Sequence, residues 1–201
     1  MRLEGKNIGF SYGKKVVLRN VSLRVDSGER VGLIAPSGYG KSTLARILAG
    51  YEKNYQGQVL LDGQSIGKGY NPVQLIYQHP EKAVNPRFRM RDVLEESGML
   101  REDVLDRMGI QRGWLNRYPR ELSGGELQRF CVARALGEQT RFLIADEIST
   151  MLDMITQAQI WQLLLREASE RQLGLLIISH NMELLHKICT RVESLTELNK
   201  L

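Results

Sequence analysis

The stretch Leu122-Ser123-Gly124-Gly125-Glu126 is the most informative part of this chain. Ser123 and Glu126 have the S-x-x-E spacing of a capping box, which predicts that a helix begins here and covers 126–136. The two glycines in its first turn leave backbone amides uncovered at the positive end of the helix dipole. A helix start of this kind is a binding site for a phosphate group.

The segment Ala35-Pro36-Ser37-Gly38-Tyr39-Gly40-Lys41-Ser42-Thr43 contains a second phosphate-binding pattern. It would be a complete P-loop if Ala35 were glycine, and the alternative is a glycine-rich turn between a strand and a helix. In a P-loop the glycines let backbone amides face the β-phosphate, Lys41 supplies positive charge and Ser42 is a ligand for Mg²⁺. Because alanine tolerates a left-handed backbone poorly, we expect Ala35 to change the loop's entry or its nucleotide affinity.

Polar residues follow four predicted strands, at the point where each strand ends. Strand 31–34 enters the P-loop, and the other three strands lead into Gln78, into Asp146-Glu147 and into Ser179-His180. In an open parallel sheet, ligands bind outside the carboxyl ends of the strands. Two phosphate sites and an acidic pair at one edge predict that the protein handles a nucleoside triphosphate with a metal ion.

Composition and charge narrow the classes to which the chain can belong. Of its 201 residues, 42% are hydrophobic and 25% are charged, which is typical of a globular protein with a sizeable core. Its apolar runs are too short to span a bilayer and no secretory segment opens it, so we expect a cytoplasmic protein. Cys131 and Cys189 lack metal-ligand spacing, and we expect packed, reduced thiols. The net charge of +5 favours an anionic partner without choosing among nucleotide, nucleic acid and lipid headgroups.

The order of the predicted elements indicates an α/β fold in three parts. The first part, 1–84, begins with short strands and turns, in which Ile8, Phe10 and Tyr12 alternate on one face. The second part, 85–138, has helical spacing and many charges, which predicts an inserted helical subdomain.

Strands and helices then alternate through the third part, 139–201. Outside the insertion, the predicted strands are 16–18, 21–25, 31–34, 73–77, 142–145 and 175–178, with a hairpin around 60–63. The predicted helices are 41–49, 153–171 and 181–189. This alternation predicts a parallel sheet covered on both faces.

Six motifs together resemble one protein family over roughly residues 2–190. In chain order they are the P-loop, Gln78, 122–126, Ile144-Ala145-Asp146-Glu147, Met151-Leu152-Asp153 and Ser179-His180. The ordered set is similar to the nucleotide-binding subunit of an ATP-binding cassette (ABC) transporter. The pair Tyr77-Gln78-His79-Pro80 and Asn85-Pro86-Arg87 resembles the importers of oligopeptides, dipeptides and nickel.

The resemblance implies a fold and a set of site residues. The fold is a P-loop NTPase (RecA-like) parallel-sheet core with an N-terminal antiparallel β subdomain and an inserted helical subdomain. ATP and Mg²⁺ are the implied cofactors. The implied nucleotide-binding residues are Tyr12, Ser37, Gly38, Tyr39, Gly40, Lys41, Ser42 and Thr43, and the implied metal-binding residues are Ser42, Gln78 and Asp146.

The resemblance also implies roles in hydrolysis. Asp146 holds Mg²⁺ through water and Glu147 orients the attacking water, unless the two are a solvated acid pair at a strand end. Gln78 senses the metal and the γ-phosphate, and His180 contacts the γ-phosphate. The alternative for Gln78 is a simple hydrogen-bonding side chain, and the alternative for His180 is a solvated side chain. Tyr12 stacks on adenine, with a core or hairpin role as the alternative.

A second subunit completes the site in the family. The residues that would act across the dimer on the partner's γ-phosphate are Leu122, Ser123, Gly124, Gly125 and Glu126, and Asp153 belongs to the loop that communicates between subunits. Asp153 is equally well placed as a helix N-cap. The second subunit is another copy or a related chain, and Met151 stands where the family usually has a small residue.

Permease subunits in the membrane are the other implied partners, which places the protein on the cytoplasmic face of the cell membrane. Arg87-Phe88-Arg89-Met90-Arg91 is either a solvated turn or a contact with a cytoplasmic helix of the permease. In the latter case Phe88 and Met90 supply apolar contacts. The chain ends soon after one further predicted strand at 191–195, so we expect the family's longer tail to be missing.

Two other functions remain open at this stage. A soluble ABC-type ATPase acting on nucleic acid or ribosomes would suit the positive charge, but such relatives usually carry a long coiled coil, zinc-binding cysteine pairs or two cassettes. We therefore expect no nucleic acid among the binding partners of this protein. A non-hydrolysing regulatory subunit would explain Ala35, although Lys41, Asp146 and Glu147 argue against such decay. The sequence does not identify the solute.

Overall fold

Two β-sheets and seven α-helices form the fold described by the computed structural model, which covers residues 1–98, 101–148 and 152–200. The strands are β1 (Arg2–Tyr12), β2 (Lys15–Asp26), β3 (Arg30–Ile34), β4 (Gln56–Leu61), β5 (Gln64–Ser65), β6 (Val73–Ile76), β7 (Phe142–Asp146), β8 (Gly174–Ile178) and β9 (Arg191–Ser194). The helices are α1 (Lys41–Leu48), α2 (Met90–Glu95), α3 (Glu102–Arg107), α4 (Gly124–Ala135), α5 (Met154–Arg171), α6 (Met182–Ile188) and α7 (Leu195–Leu198). Most predicted elements are therefore present with small changes at their ends.

The antiparallel sheet has the strand order β2-β1-β4-β5. The sequence predicts separate strands at 16–18 and 21–25, but the chain forms one long strand, β2, instead. The register against β1 shifts where Asn7 and Asn20 have a left-handed backbone, each with a φ of 52°. Asparagine tolerates this conformation better than other side chains, so the strand absorbs the irregularity without ending.

The parallel sheet has the strand order β6-β7-β8-β3-β9 and is buried on both faces. Alternate side chains of β7 enter different cores, as expected when successive residues of a strand point to opposite faces. Phe142 and Ile144 join a core with the antiparallel sheet and α1. Leu143 and Ala145 join a second core with α2, α3, α4, α5 and α6, whereas Leu195 of α7 belongs to the first core. This arrangement confirms the predicted sheet covered on both sides.

The inserted segment is helical, as predicted. It contains α2, α3 and α4, together with 3₁₀ turns at Arg112–Asn116 and Pro119–Glu121. Met90 is fully buried in its core, so the expectation that this side chain offers an apolar contact to a partner is wrong. The hydrophobic spacing of α2 directs Met90 inward, and Phe88 is partly exposed before the helix begins.

Two further expectations concern the thiols and the membrane. Cys131 and Cys189 are both free, and burial raises the pKa of each thiol to about 11. Neither thiol is therefore a reactive thiolate near neutral pH.

Within the described parts of the chain, no helix is long and apolar enough to cross a membrane.

Gly57 and Gly63 give a test of the antiparallel sheet, because both have a left-handed backbone, with φ values of 91° and 77°. A Cβ atom at position 57 would lie 2.4 Å from the carbonyl oxygen of Lys6, whereas one at position 63 would meet nothing within 4 Å. We expect Gly63→Ala to lower the free energy of unfolding by about 1 kcal/mol through backbone strain alone. The additional clash should make Gly57→Ala cost about 3 kcal/mol or more. Urea unfolding of the two variants measures the difference, and equal midpoints would contradict the β1–β4 geometry.

Candidate functional site

The P-loop connects β3 to α1 and has its two glycines in left-handed conformations. The φ values are 78° at Gly38 and 98° at Gly40. A Cβ atom at Gly40 would lie 2.8 Å from the Val17 side chain, so glycine is required there for space as well as for conformation. The loop therefore turns tightly against β2 before the helix begins.

Ala35 does not have the left-handed backbone that would strain an alanine, because the positive φ values of this loop occur at Gly38 and Gly40. The expectation that Ala35 disturbs the loop through its backbone is wrong. Its carbonyl oxygen accepts a hydrogen bond of 2.7 Å from the Lys41 Nζ, and the Pro36 carbonyl oxygen accepts a second of 3.2 Å. The Lys41 side chain is therefore bound to the backbone of its own loop.

Side chains from the other strand ends surround the Glu147 carboxylate. His180 Nε2 lies 2.7 Å and Lys41 Nζ lies 4.0 Å from its Oε1 atom. The Gln78 amide donates a hydrogen bond of 3.3 Å to its Oε2 atom. Residues predicted from four separate strand ends are therefore adjacent, as the parallel sheet requires.

Glu147 also has an unusual backbone. Its φ is 50°, a left-handed value that is rare for residues other than glycine. The Glu147 amide is held by a hydrogen bond of 3.0 Å to the carbonyl oxygen of Ile178, at the end of the neighbouring strand. Strained residues of this kind are concentrated at functional sites, where the surrounding structure maintains them.

Asp146 provides the chemistry for a divalent cation. Its exposed fraction is only 6%, and its Oδ1 atom has no hydrogen-bond partner among the described residues. Burial raises the pKa of its carboxyl group, against an opposing hydrogen bond from Ser42. A buried carboxylate oxygen without a partner, beside a hydroxyl group, is a donor set that fits Mg²⁺.

The Lys41 ammonium group shows the opposite pKa shift from Asp146. Burial lowers the pKa of Lys41, while the nearby charges of Glu147 and Asp146 act to raise it. Burial therefore disfavours the charged forms of both the lysine and the aspartate. An anionic ligand together with a metal cation would favour both charged forms at once.

A cavity of about 430 Å³ opens beside the P-loop. It is lined by Tyr12, Lys15, Val17, Ser37, Gly38, Gly40, Lys41, Ser42, Thr43, Arg46, Gln78 and Glu147. Most of the predicted nucleotide-binding residues are brought together here. The Tyr39 side chain is outside this lining and is partly exposed, so only its backbone can face a ligand in the loop.

Tyr12 lies at the rim of this cavity with 48% of its surface exposed. Its hydroxyl group lies 3.3 Å from Thr43 Oγ1 and accepts a hydrogen bond from Arg46. Its ring meets Phe10 edge-on. The alternative of a core role is therefore wrong for this side chain, because Phe10 is buried while the Tyr12 ring remains accessible.

Lys15, Val17 and Arg46 were not identified from the sequence as members of this site. Arg46 lies three residues after Thr43 on α1, so helical spacing was the one signal that could have found it. Lys15 and Val17 come from the return strand of the first hairpin. Their approach to the P-loop follows from the packing of β2 beside Gly40, which no local pattern reveals.

Ser123, Gly125 and Glu126 line a different cavity, of about 440 Å³, whereas Leu122 and Gly124 are not part of its lining. The Ser123 side chain accepts a hydrogen bond of 3.3 Å from the Glu126 amide, and the Glu126 carboxylate accepts one of 2.7 Å from the Ser123 amide. The predicted capping box is therefore confirmed, although α4 begins at Gly124 and ends at Ala135. This cavity and the P-loop cavity have no lining residue in common.

Asp153 lines the same second cavity and caps α5. Its Oδ1 atom accepts hydrogen bonds from the amides of Ile155 and Thr156, at 3.0 and 2.9 Å. The N-cap expectation is confirmed, and these hydrogen bonds lower the pKa of the Asp153 carboxyl group. The predicted influence of Met151 lies outside the described residues.

The fold and the two cavities define a class: a P-loop protein with an α/β core, in which a capped helix start lines a second cavity. The sequence profile of the ABC transporter family matches residues 18–150. The nickel import ATP-binding protein NikE of Shigella boydii serotype 4 is 36% identical over 206 residues, covering 92% of this chain and 77% of that protein. NikE of Escherichia coli O157:H7 has the same identity and coverage. The chain belongs to the ABC transporter family and is one of its ATPase subunits.

Solved structures agree with this fold. The ATP-binding subunit of an ABC transporter matches with a TM-score of 0.84 and 23% identity, over 96% of this chain and 85% of the other. A dimeric ATP-binding cassette in a post-hydrolysis state with ADP and Pi matches with a TM-score of 0.80 and 23% identity, over 96% and 93% of the two chains. The predicted P-loop NTPase core, with its antiparallel β subdomain and helical insertion, is confirmed.

Ala35 and Gly40 allow a matched test of the P-loop. We expect Ala35→Gly to change the dissociation constant of Mg-ATP by less than about twofold, because position 35 has no left-handed strain to relieve. Gly40→Ala should weaken binding by at least about tenfold, since the new Cβ atom displaces the loop. Titration calorimetry measures both values. A tenfold gain of affinity in Ala35→Gly would mean that the alanine does restrict the loop.

Proposed function

We propose that this ABC ATPase binds Mg-ATP at the P-loop, closes on a second ATPase subunit and drives import through permease subunits in the membrane. The observation that carries the proposal is the convergence of Lys41, Gln78 and His180 on Glu147. A single carboxylate surrounded by these groups is the arrangement needed to bind a γ-phosphate and direct a water molecule at it. The protein works at the cytoplasmic face of the membrane.

Nucleotide binding uses the P-loop cavity. Backbone amides of the loop and the Lys41 ammonium group contact the phosphates, and Lys41 exchanges its hydrogen bonds to the loop carbonyls for bonds to phosphate oxygens. The exposed ring of Tyr12 stacks on adenine at the cavity rim. The positive charges of Lys15 and Arg46 increase the affinity of the same cavity for an anion.

Ser42 and Asp146 hold Mg²⁺ beside the phosphates, with Gln78 close to the same position. When bound, the ion neutralises charge on the β- and γ-phosphate oxygens. The partnerless Oδ1 atom of Asp146 supports this assignment, because a buried carboxylate oxygen needs a partner.

His180 and Gln78 turn from the carboxylate toward the γ-phosphate when ATP binds, and both face it as hydrogen-bond donors. Glu147 orients the attacking water and accepts its proton as the water oxygen bonds to the γ-phosphorus. The bond from that phosphorus to the β,γ-bridging oxygen breaks in the same step, which releases ADP and phosphate. Preorganised donors at a developing negative charge are the largest common source of rate enhancement. The left-handed backbone of Glu147 fixes the direction in which its carboxylate points.

A complete site requires two chains. The amides at the start of α4 bind the γ-phosphate held by the partner subunit's P-loop, and Asp153 lies beside them. The separation of the two cavities supports this arrangement, because one chain presents its P-loop and its α4 start on different surfaces. A second copy or a related subunit fills the partner position.

The transported solute is of the nickel or oligopeptide type. The nickel part of this proposal rests on the relatives named as nickel import proteins, and the oligopeptide part on the resemblance of 77–80 and 85–87, since the ATPase subunit need not touch its cargo. The partly exposed Phe88 and its neighbours Arg87 and Arg91 form the contact with a cytoplasmic helix of the permease. Arg89 is not part of this contact, because its side chain donates a hydrogen bond of 2.7 Å to the carbonyl oxygen of Asn116.

Tyr12 variants separate stacking from hydrogen bonding. Tyr12→Ala should weaken ATP binding by about tenfold, because stacking of a base on an aromatic ring contributes roughly 1–3 kcal/mol. Tyr12→Phe keeps the ring and loses only the contacts to Thr43 and Arg46, so we expect less than about a threefold change. Calorimetric titration with Mg-ATP distinguishes the two. Equal losses in both variants would assign the effect to the hydroxyl group instead.

Glu147→Gln tests the hydrolytic role and the assembly together. We expect turnover of ATP to fall by about 10²–10³-fold or more, while ATP affinity stays within about threefold, because the lost carboxylate acts on the reacting water. Light scattering with Mg-ATP should show a shift from one chain to two. Phosphate release and the scattering mass are the two measurements.

The control for this experiment is Glu81→Gln, which removes an exposed carboxylate beside His79 and should leave turnover unchanged. Undiminished turnover in Glu147→Gln would rule out the proposed role of the glutamate. A variant that binds ATP and stays monomeric would show that a different subunit, rather than a second copy, completes the site.

A further inference from the structure

A buried carboxylate lies far from the residues used above. Glu167, on α5, is 1% exposed and is surrounded by arginines of two helices. Arg101 reaches its Oε2 atom at 2.7 Å, and Arg107 of α3 reaches its Oε1 atom at 3.2 Å. Arg171 of α5 donates a third hydrogen bond, of 3.3 Å. We call these four residues the Glu167 cluster.

The arginines of the cluster also bind the end of α4. Arg171 donates hydrogen bonds of 2.9 Å to the carbonyl oxygen of Leu136 and 2.7 Å to that of Gly137. Arg101 reaches the same Leu136 oxygen at 3.4 Å. Leu136 is the C-cap of the helix that begins with the predicted phosphate-binding stretch. Positive side chains at a helix C-terminus satisfy its last carbonyl groups and favour its dipole.

Net stability is a poor explanation for this arrangement. A buried ion pair often contributes no more to folding than apolar residues of the same volume, because both charges lose their hydration. What a fully hydrogen-bonded buried carboxylate does provide is one fixed arrangement of its partners. Here those partners are arginines of α3 and α5, two of which bind the carbonyl oxygens of Leu136 and Gly137 directly after α4.

We propose that Glu167 is a positioning residue that fixes the direction of α4 relative to the P-loop core, and thereby aims the 122–126 stretch at the ATP of the partner subunit. It acts through Arg101 and Arg171, which it holds against the C-terminus of α4. The proposal rests on the proposed function for the role of 122–126 across the dimer. Glu167, Arg101, Arg107 and Arg171 are not among the residues that line the P-loop cavity.

Glu167→Gln keeps the shape of the side chain and removes its charge. The matched control is Glu170→Gln on the same helix, which also removes one negative charge near Arg107 but from a position that is 49% exposed. Both are made in the Glu147→Gln chain, so that the ATP-bound state persists. Three quantities are measured: amide hydrogen exchange without nucleotide, the dissociation constant of Mg-ATP, and the dissociation constant of the ATP-bound dimer.

We expect Glu167→Gln to accelerate amide exchange in α3 and in the C-terminal half of α4 by about tenfold. The dimer dissociation constant should rise by about tenfold, because the phosphate-binding helix start is no longer held in one direction. ATP affinity should stay within about twofold, and Glu170→Gln should change none of the three quantities. Equal exchange in the two variants would overturn the proposal. So would faster exchange throughout β3 and α1 with a parallel loss of ATP affinity, which indicates general destabilisation.

Arg101→Gln tests the positioning role if Glu167→Gln fails to fold. Arg101 is 21% exposed, and its loss leaves Glu167 with two arginine partners. It should reproduce the local acceleration of exchange in α4, and unchanged exchange would overturn the proposal. The exchange measurement does not depend on the dimer. If the parent chain stays monomeric with ATP, the proposed assembly fails while exchange in α3 and α4 still tests Glu167.

Discussion

The double burial of the parallel sheet is the constraint on which the rest of the structure depends. With both faces covered by apolar cores, polar chemistry is left to the edges of the sheet, and the candidate site residues lie at its carboxyl edge. The pairing of Asp146 with Ile178 in adjacent strands sets where Glu147 leaves the sheet. A slip of one residue would exchange the two faces of β7 and carry this glutamate away from Lys41 and His180. The register that builds the core therefore also builds the site.

Several groups of the site have conformations or surroundings that cost free energy when no ligand is bound. Glu147 has a left-handed backbone, Asp146 is buried with an oxygen that lacks a partner in the described chain, and Lys41 is bound to the carbonyl groups of its own loop. In the proposed function, a cation would be the partner of Asp146 and a phosphate group would be the partner of Lys41. Natural proteins keep such local costs where function needs them, and the well-packed sheet below supplies the stability that tolerates them.

Local patterns were enough to predict the sheet edge, because strand alternation, the glycines of the P-loop and the capping box at Ser123 each act over a few residues. The same patterns failed where distant segments meet. The course of β2 past residue 18 depended on Asn20, and the burial of Met90 depended on the packing of α2. Ala35 was misjudged because the sequence does not reveal which loop residues take positive φ. Arg107 and Arg101 lie 60 and 66 residues from Glu167, so no spacing rule connects them to it; only Arg171, four residues further along α5, has a helical spacing that the sequence shows.

Those arginines give a physical reason why α4 and α5 behave as one unit. Near the start of α5, Arg129 of α4 donates hydrogen bonds to Thr156 and Gln159, and Thr156 in turn binds Asp153. Near the end of α5, Arg171 binds the carbonyl oxygens of Leu136 and Gly137, directly after α4. Two helices joined at both levels cannot tilt independently without breaking charge-assisted hydrogen bonds, most of which are partly buried. The helix start at Ser123 and the cap at Asp153, which line one cavity, are therefore kept at a fixed distance from each other. A partner subunit that displaces one must displace both.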